Sequence, residues 1–284
     1  MSMITVQKMR LYGLGIAFAC FAWVGATAQT PYGWRGPERS GTYPETGLLK
    51  EWPAGGPKLL WETMDAGKGY SSPVIVGDRL YLTGMNEDET QEIFSAYTLD
   101  GKKVYEVAYS APWGDTYPET RTTPAIDGDK AYVISGSGEI VCLDIKDGKI
   151  VWKVDGGNIY GRKTGNWGTS ECPLVYDDKV IYTPAGDQTT MVALNKDTGE
   201  LIWKTESFGD TGAYVSPILI SYKGKRQIIG STAKHVITGR WNGRLLIGGL
   251  KRANGPTSPR TPRCIRMGRS FSAMDITSMA LCFN

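Results

Sequence analysis

A strand-opening proline that returns four times constrains this chain more than any other feature. Ser72-Pro73-Val74-Ile75-Val76, Thr123-Pro124-Ala125-Ile126, Cys172-Pro173-Leu174-Val175 and Ser216-Pro217-Ile218-Leu219-Ile220 each place a small or polar residue before proline and an apolar run after it. The prolines stand 51, 49 and 44 residues apart. Three copies continue into a tight turn and a second β-rich run: Gly77-Asp78-Arg79-Leu80-Tyr81, Gly128-Asp129-Lys130-Ala131-Tyr132 and Asp177-Asp178-Lys179-Val180-Ile181-Tyr182. The Gly-Asp and Asp-Asp pairs suit the positive φ of a two-residue hairpin. Lys223-Gly224-Lys225 holds that place in the fourth copy. A second hairpin follows in each unit, turning at Asp100-Gly101, Asp147-Gly148, Thr198-Gly199 and Asn242-Gly243. Four short strands per unit with no amphipathic helix between them predict an all-β chain of propeller blades. A plain β-sandwich would not repeat at a fixed four-strand period.

The second hairpins carry a resemblance. Ala193-Leu194-Asn195-Lys196-Asp197-Thr198-Gly199-Glu200-Leu201-Ile202-Trp203 resembles the tryptophan-docking repeat of the pyrroloquinoline-quinone (PQQ)-like β-propellers, with Asn195 where that repeat usually has Asp. Cys142 to Trp152 is a second copy, and Ala96 to Tyr105 is a degenerate third, one residue short and with Tyr for Trp. Trp34-Arg35-Gly36-Pro37 is similar to the entry of secreted, BamB-like members of the group. The resemblance runs over about residues 33–247 and implies that the motif packs rather than catalyses. The Trp would lie flat on the neighbouring blade, burying on the order of 150–250 Å². The Gly takes a turn conformation that other residues resist.

The ring is expected to be incomplete. Four units fill residues 64–247, whereas the family usually builds six to eight blades. Lys58-Leu59-Leu60-Trp61-Glu62 reads as an orphan outer strand within an entry segment, residues 29–63, which in a closed ring would complete the last blade. Past residue 247 the pattern stops, and residues 248–284 form a basic, non-repeating tail. Lysine dominates the basic residues of 29–238, but the tail region from 239 holds seven Arg and only Lys251. Two readings stand: a reading frame shifted near residues 238–247, so that the chain is a truncated or frame-shifted copy, or a genuine disordered tail.

Charge separates along the chain in the same way. The body from 29 to 238 is net −6, while the two ends are basic and bring the whole to +3. No basic stripe runs through the body, so nucleic acid is not an expected partner. His235 is the single histidine, which leaves little for a Ser-His-Asp triad or a His-based zinc site. At the start, Lys8 and Arg10 precede an apolar stretch from Leu11 to Val24 and the small-residue exit Ala26-Thr27-Ala28. This predicts a signal peptide over residues 1–28 and a periplasmic or extracellular chain, associated with the cell envelope. Ala17 and Phe18 make a poor lipobox before Cys20. Four cysteines remain after cleavage, Cys142, Cys172, Cys264 and Cys282; with irregular spacing, Cys142 in an apolar run and Cys172 before a proline, they read as buried free thiols.

The candidate site is the mouth of the central channel, where the residues before each proline should meet. These are Tyr70-Ser71-Ser72, Arg121-Thr122-Thr123, Ser170-Glu171-Cys172 and Tyr214-Val215-Ser216, fed by the long loops Trp113 to Tyr117 and Arg162 to Gly168. Loops on a rigid scaffold are the usual place for binding. Arg121, Asn166, Trp167 and Glu171 are the candidate ligand-binding residues, suited to a planar, charged or sugar-like ligand. The competing expectation is an internal Arg121–Glu171 ion pair stitching two blades. For function, the resemblance implies a non-catalytic binding or assembly scaffold of the envelope, with a protein partner and a small-molecule or carbohydrate ligand at the channel mouth. No catalytic residue, metal or cofactor is then expected. The alternative is a fragment of a PQQ-dependent alcohol or sugar dehydrogenase, which would need PQQ with calcium around Trp167, Asn166 and Glu171. No adjacent Cys-Cys pair is present, and no catalytic Asp matches that family's pattern.

Overall fold

Each strand-opening proline starts an antiparallel four-stranded meander. The computed structural model describes residues 32–43 and 46–240, with the backbone of 245–248, 264–265 and 281–282. The first blade comprises β1 (Val74–Val76), β2 (Arg79–Met85), β3 (Glu92–Thr98) and β4 (Lys103–Ser110). The second comprises β5 (Ala125–Asp127), β6 (Lys130–Ile134), β7 (Ile140–Asp144) and β8 (Ile150–Val154). The third comprises β9 (Leu174–Tyr176), β10 (Lys179–Tyr182), β11 (Val192–Asn195) and β12 (Leu201–Lys204). The fourth comprises β13 (Ile218–Tyr222), β14 (Lys225–Ser231), β15 (Val236–Arg240) and β16 (Leu245–Gly248). Strands pair in sequence order within every blade. The all-β propeller architecture with four blades and an unclosed ring is as the repeat predicts.

The first hairpins close on two residues, as in Val76↔Arg79 and Asp127↔Lys130. Gly77, Gly128, Asp177 and Lys223 take the positive φ that those turns demand, the last two without being glycine. In the second hairpins a side-chain oxygen closes the turn. Asp144 Oδ1 accepts from Lys146 N at 2.9 Å, and Asn195 Oδ1 accepts from Asp197 N at 2.8 Å. Asn195 therefore does the work of the Asp it replaces.

The core lies between blades, and strand alternation builds it. Ala131 and Val133 of β6, with Val141 and Leu143 of β7, face the first blade and pack with Tyr81 and Phe94. Their neighbours Tyr132, Ile134, Ile140 and Cys142 face the third blade and pack with Val180, Tyr182 and Leu194. Ile181, Met191 and Ala193 then face Ile228 and Ile237 of the fourth. With both faces covered, a middle strand shows no polar alternation, and so these strands read as continuous apolar runs.

One further contact repeats from blade to blade. Trp152 of β8 donates from Nε1 to Lys196 O at 2.9 Å, and Tyr105 of β4 donates from its hydroxyl to Ile145 O at 2.7 Å. Trp61 does the same to Leu99 O at 2.8 Å. The predicted orphan strand at Lys58–Glu62 is not a strand here, because among the described residues no neighbour offers it a ladder. Its Trp nonetheless docks on the first blade as an outer-strand Trp would. Trp203 packs between the third and fourth blades, but its Nε1 has no partner among the described residues. The matching turn, Asn242-Gly243, lies outside them.

The predicted signal peptide and most of the tail also lie outside the described residues. Within the tail, β17 (Cys264–Ile265) pairs antiparallel with β18 (Leu281–Cys282), with Cys264 opposite Cys282 in the backbone register. Cys142 and Cys172 are buried free thiols. Among the described residues no helix is long and apolar enough to cross a membrane.

Candidate functional site

The residues entering the inner strands do converge, and they do so by period two. In an extended segment alternate side chains point the same way. Tyr70 and Ser72, Arg121 and Thr123, Ser170, and Tyr214 and Ser216 all line one pocket of about 390 Å³. Of the residues between them, Ser71 and Thr122 turn the other way, into the blades, whereas Val215 stays exposed. Ser71 accepts from Thr83 N at 3.3 Å, and Thr122 is wholly buried. Glu171 follows the same rule. It is 3% exposed, and its two carboxylate oxygens accept from Thr183 N at 3.2 and 3.1 Å. Thr183 Oγ1 adds a bond to Glu171 Oε1 at 3.4 Å. Burial pushes the Glu171 carboxyl up to about 8, against the opposing effects of the Thr183 N–H and the Arg39 charge.

The pocket's floor is stitched across blades by hydroxyls. Ser72 N donates to Thr123 Oγ1 at 3.1 Å, and Cys172 N donates to Ser216 Oγ at 2.9 Å. Each bond ties the entry of one blade to an adjacent one. The walls are aromatic: Tyr70, Trp167 and Tyr214 stand 71%, 47% and 42% exposed. Tyr117 joins Tyr70, Arg121 and Trp167 around an adjoining hollow.

Arg121 holds these walls together. Its Nη1 donates to Tyr117 O at 2.8 Å, Glu119 O at 2.7 Å and Trp167 O at 3.2 Å, joining the two long loops. Its Nη2 lies 3.6 Å from Glu119 Oε2, and the guanidinium sits 5.6 Å from the centre of the Tyr70 ring. The expected internal Arg121–Glu171 pair is therefore corrected. Arg121 pairs with Glu119 in its own loop, and Glu171 points away into the third blade. Trp167 rests against Tyr214 with ring centres 5.5 Å apart, while Trp167 N donates to the Tyr214 hydroxyl at 3.2 Å. Asn166 meets Thr116 through its backbone carbonyl and does not line the pocket. A second cation, Arg162, sits 4.9 Å from the Trp113 ring and donates to Gly136 O at 2.8 Å, fixing the base of the loops.

Sequence reasoning missed three residues that line the site or support it from below. Trp34 of the entry segment is a fourth aromatic in the pocket lining. It is delivered by a strap that forms a two-bond bridge between Tyr32 and Ile126. Beyond it, Arg39 donates from Nη1 to Cys172 O at 3.1 Å and Pro217 O at 3.0 Å, and from Nη2 to Pro173 O. The conspicuous Trp34-Arg35-Gly36-Pro37 motif was the available signal, but its destination depends on tertiary packing. Glu92 is the third. It is fully buried, accepts from Gly136 N at 2.8 Å and from the Tyr109 hydroxyl, and burial raises its carboxyl to about 7. Neither Glu92 nor Glu171 reaches the pocket.

PQQ with calcium would need Trp167, Asn166 and Glu171 to close on one point. Trp167 faces the pocket, the Asn166 carbonyl is bonded to Thr116 and the Glu171 carboxylate is buried against Thr183. These three residues do not fit that cofactor. Among the described residues no group of three or more His, Cys, Asp or Glu side chains is placed to hold a metal ion.

Fold and repeat define a propeller of the PQQ-repeat class. A PQQ-repeat family model described as "Outer membrane protein assembly factor BamB" matches residues 42–155 and 91–255, and the chain belongs to that family. An outer membrane protein assembly factor BamB from Alkalilimnicola ehrlichii is 24% identical over 143 residues, which is 49% of this chain and 33% of the relative. The chain thus spans about a third of that curated relative. The crystal structure of BamB from Moraxella catarrhalis is similar at 14% identity and a TM-score of 0.44, over 67% of this chain and 54% of that one. A europium-containing methanol dehydrogenase is similar at 18% identity and a TM-score of 0.38, over 52% of this chain and 27% of that one.

Proposed function

We propose that the chain is an exported, non-catalytic binding and assembly scaffold of the cell envelope, docking a protein partner through the loops on one face. The observation that carries this reading is the way Arg121 locks the loop face. Bonds to the Tyr117 and Trp167 carbonyls fix those two residues in place, and the aromatic rings stay exposed on a frame drawn from several blades. A pre-ordered aromatic surface loses little conformational freedom on binding, which is the property a docking face needs. Membership in the BamB-described family and the Lys8-to-Ala28 export pattern support the same reading.

The test is photo-cross-linking in the envelope of cells exporting the full chain, with the cross-linker at Tyr117 and, as control, at Ile75 on the first blade. A discrete envelope protein attached from Tyr117 and absent from Ile75 is the expected result. Dye reduction with an alcohol or sugar after adding PQQ and calcium would overturn the reading in favour of a dehydrogenase fragment.

A further inference from the structure

We infer that the pocket beneath this face binds a ring of a neutral saccharide. The inference rests on reading the loop face as a binding face and specifies what enters its pocket. Trp34, Tyr70, Trp167 and Tyr214 supply the walls, while Ser and Thr hydroxyls supply the floor. A pyranose has the matching character: an apolar C–H face that packs on an aromatic ring, and an edge of hydroxyls that both donate and accept. Thr123 Oγ1 and Ser216 Oγ already accept from the backbone, which leaves their O–H protons to donate into the pocket.

Charge decides against the competing small ligands. Among the described residues Arg121 is the one ionisable side chain other than tyrosine in the lining. Its Nη1 donors are taken by three carbonyls and its Nη2 faces the Glu119 carboxylate, so the lining offers an anion few free donors. Among the described residues no carboxylate lines the pocket, so an organic cation finds no counter-ion there. The volume of about 390 Å³ lies at the low end of the roughly 300–1,000 Å³ usual for small-ligand sites. Trp34 enters from the strap, which Arg39 ties to Cys172, Pro173 and Pro217 alongside the Tyr32–Ile126 bridge.

The test titrates the full exported chain with cellobiose, maltose and N,N′-diacetylchitobiose, following tryptophan emission and saturation transfer to the sugar C–H protons. A saturable response to at least one of them, with Kd in the range of about 0.1–10 mM, is the expected result. Trp167→Ala should weaken that response about ten-fold or more while the thermal transition is kept. Arg39→Ala should weaken it through loss of Trp34, and Ser170→Ala provides a milder change that leaves the aromatic walls intact. Glucuronate and glucosamine should bind more weakly than their neutral counterparts. No response to any neutral sugar up to about 50 mM, tighter binding of a charged sugar, or an unchanged response in Trp167→Ala overturns the inference. Cross-linking at Tyr117 is read separately, so a failed titration beside an intact cross-link removes the saccharide and leaves the scaffold reading standing.

Discussion

The Trp152 indole lies against Gly199 of the next blade, with Nε1 donating to Lys196 O at 2.9 Å. A Cβ on Gly199 would fall 2.8 Å from Trp152 Cε3, and the residue already sits at φ +76°. Ring and turn are therefore mutually required. Gly199→Ala should destabilise the chain by about 2–4 kcal/mol, from both left-handed strain and displacement of the ring. Gly55→Ala, where added bulk meets nothing within 4 Å and φ is ordinary, should stay within about 0.5 kcal/mol. Urea unfolding of the two variants checks the contrast. Equal losses would mean that the ring does not rest on the turn.

Trp152→Phe separates the two halves of the same contact. The ring's packing against Tyr132 is mostly kept, while the bond to Lys196 O is lost. A loss of about 1–2 kcal/mol is expected, against about 3–5 kcal/mol for Trp152→Ala. Both are measured by denaturant unfolding at neutral pH.

Arg39 donates to backbone carbonyls at the start of the third and fourth blades. Arg39→Ala should cost about 1.5–3 kcal/mol and release the entry strap. Proteolysis at residues 35–43 of the folded variant, faster than in the parent, is the expected signature. An unchanged cleavage rate would show that the Tyr32–Ile126 bridge holds the strap unaided.

Glu171 gives the stability a pH dependence of definite sign. Folding raises its carboxyl to about 8, chiefly by burial. Between the ordinary glutamate value and about pH 8 the native state holds a proton that the unfolded chain has released. Stability therefore falls as pH rises through that window, with a slope of at most about 1.4 kcal/mol per pH unit from this residue, and levels off above it. Glu171→Gln should flatten the decline while keeping an oxygen to accept from Thr183 N. Glu92, raised to about 7, adds a similar decline ending nearer neutrality. Unfolding free energies from pH 5 to 9 for parent and variant decide it. Identical slopes would place the titration elsewhere.

Cys142 is wholly buried between the second and third blades, and burial pushes its thiol up to about 12. Iodoacetamide at pH 8 should leave its peptide unmodified in the native chain and alkylate it fully in urea. Peptide mass spectrometry reads both states. Rapid native labelling would show that these two blades separate.

The sequence by itself determined the blades. Proline-led strands, turns at Gly77, Gly128, Asp177 and Lys223, and ring-bearing outer strands at Tyr105 and Trp152 are local signals, because hairpin geometry and strand alternation act over a few residues. It also indicated where the pocket would form, and of the four candidate ligand-binding residues Arg121 and Trp167 line it. What it left open was direction. Ser170 and Glu171 are neighbours in the chain, yet the first lines the pocket and the second is buried against Thr183. Extended backbone sends adjacent side chains to opposite sides, and only the position of the neighbouring blades decides which side is solvent. Trp34 and Arg39 lie more than 80 residues from most of what they touch, so their roles exist only once the blades have packed. Pattern fixes the repeating unit, and the assembly of units fixes the site.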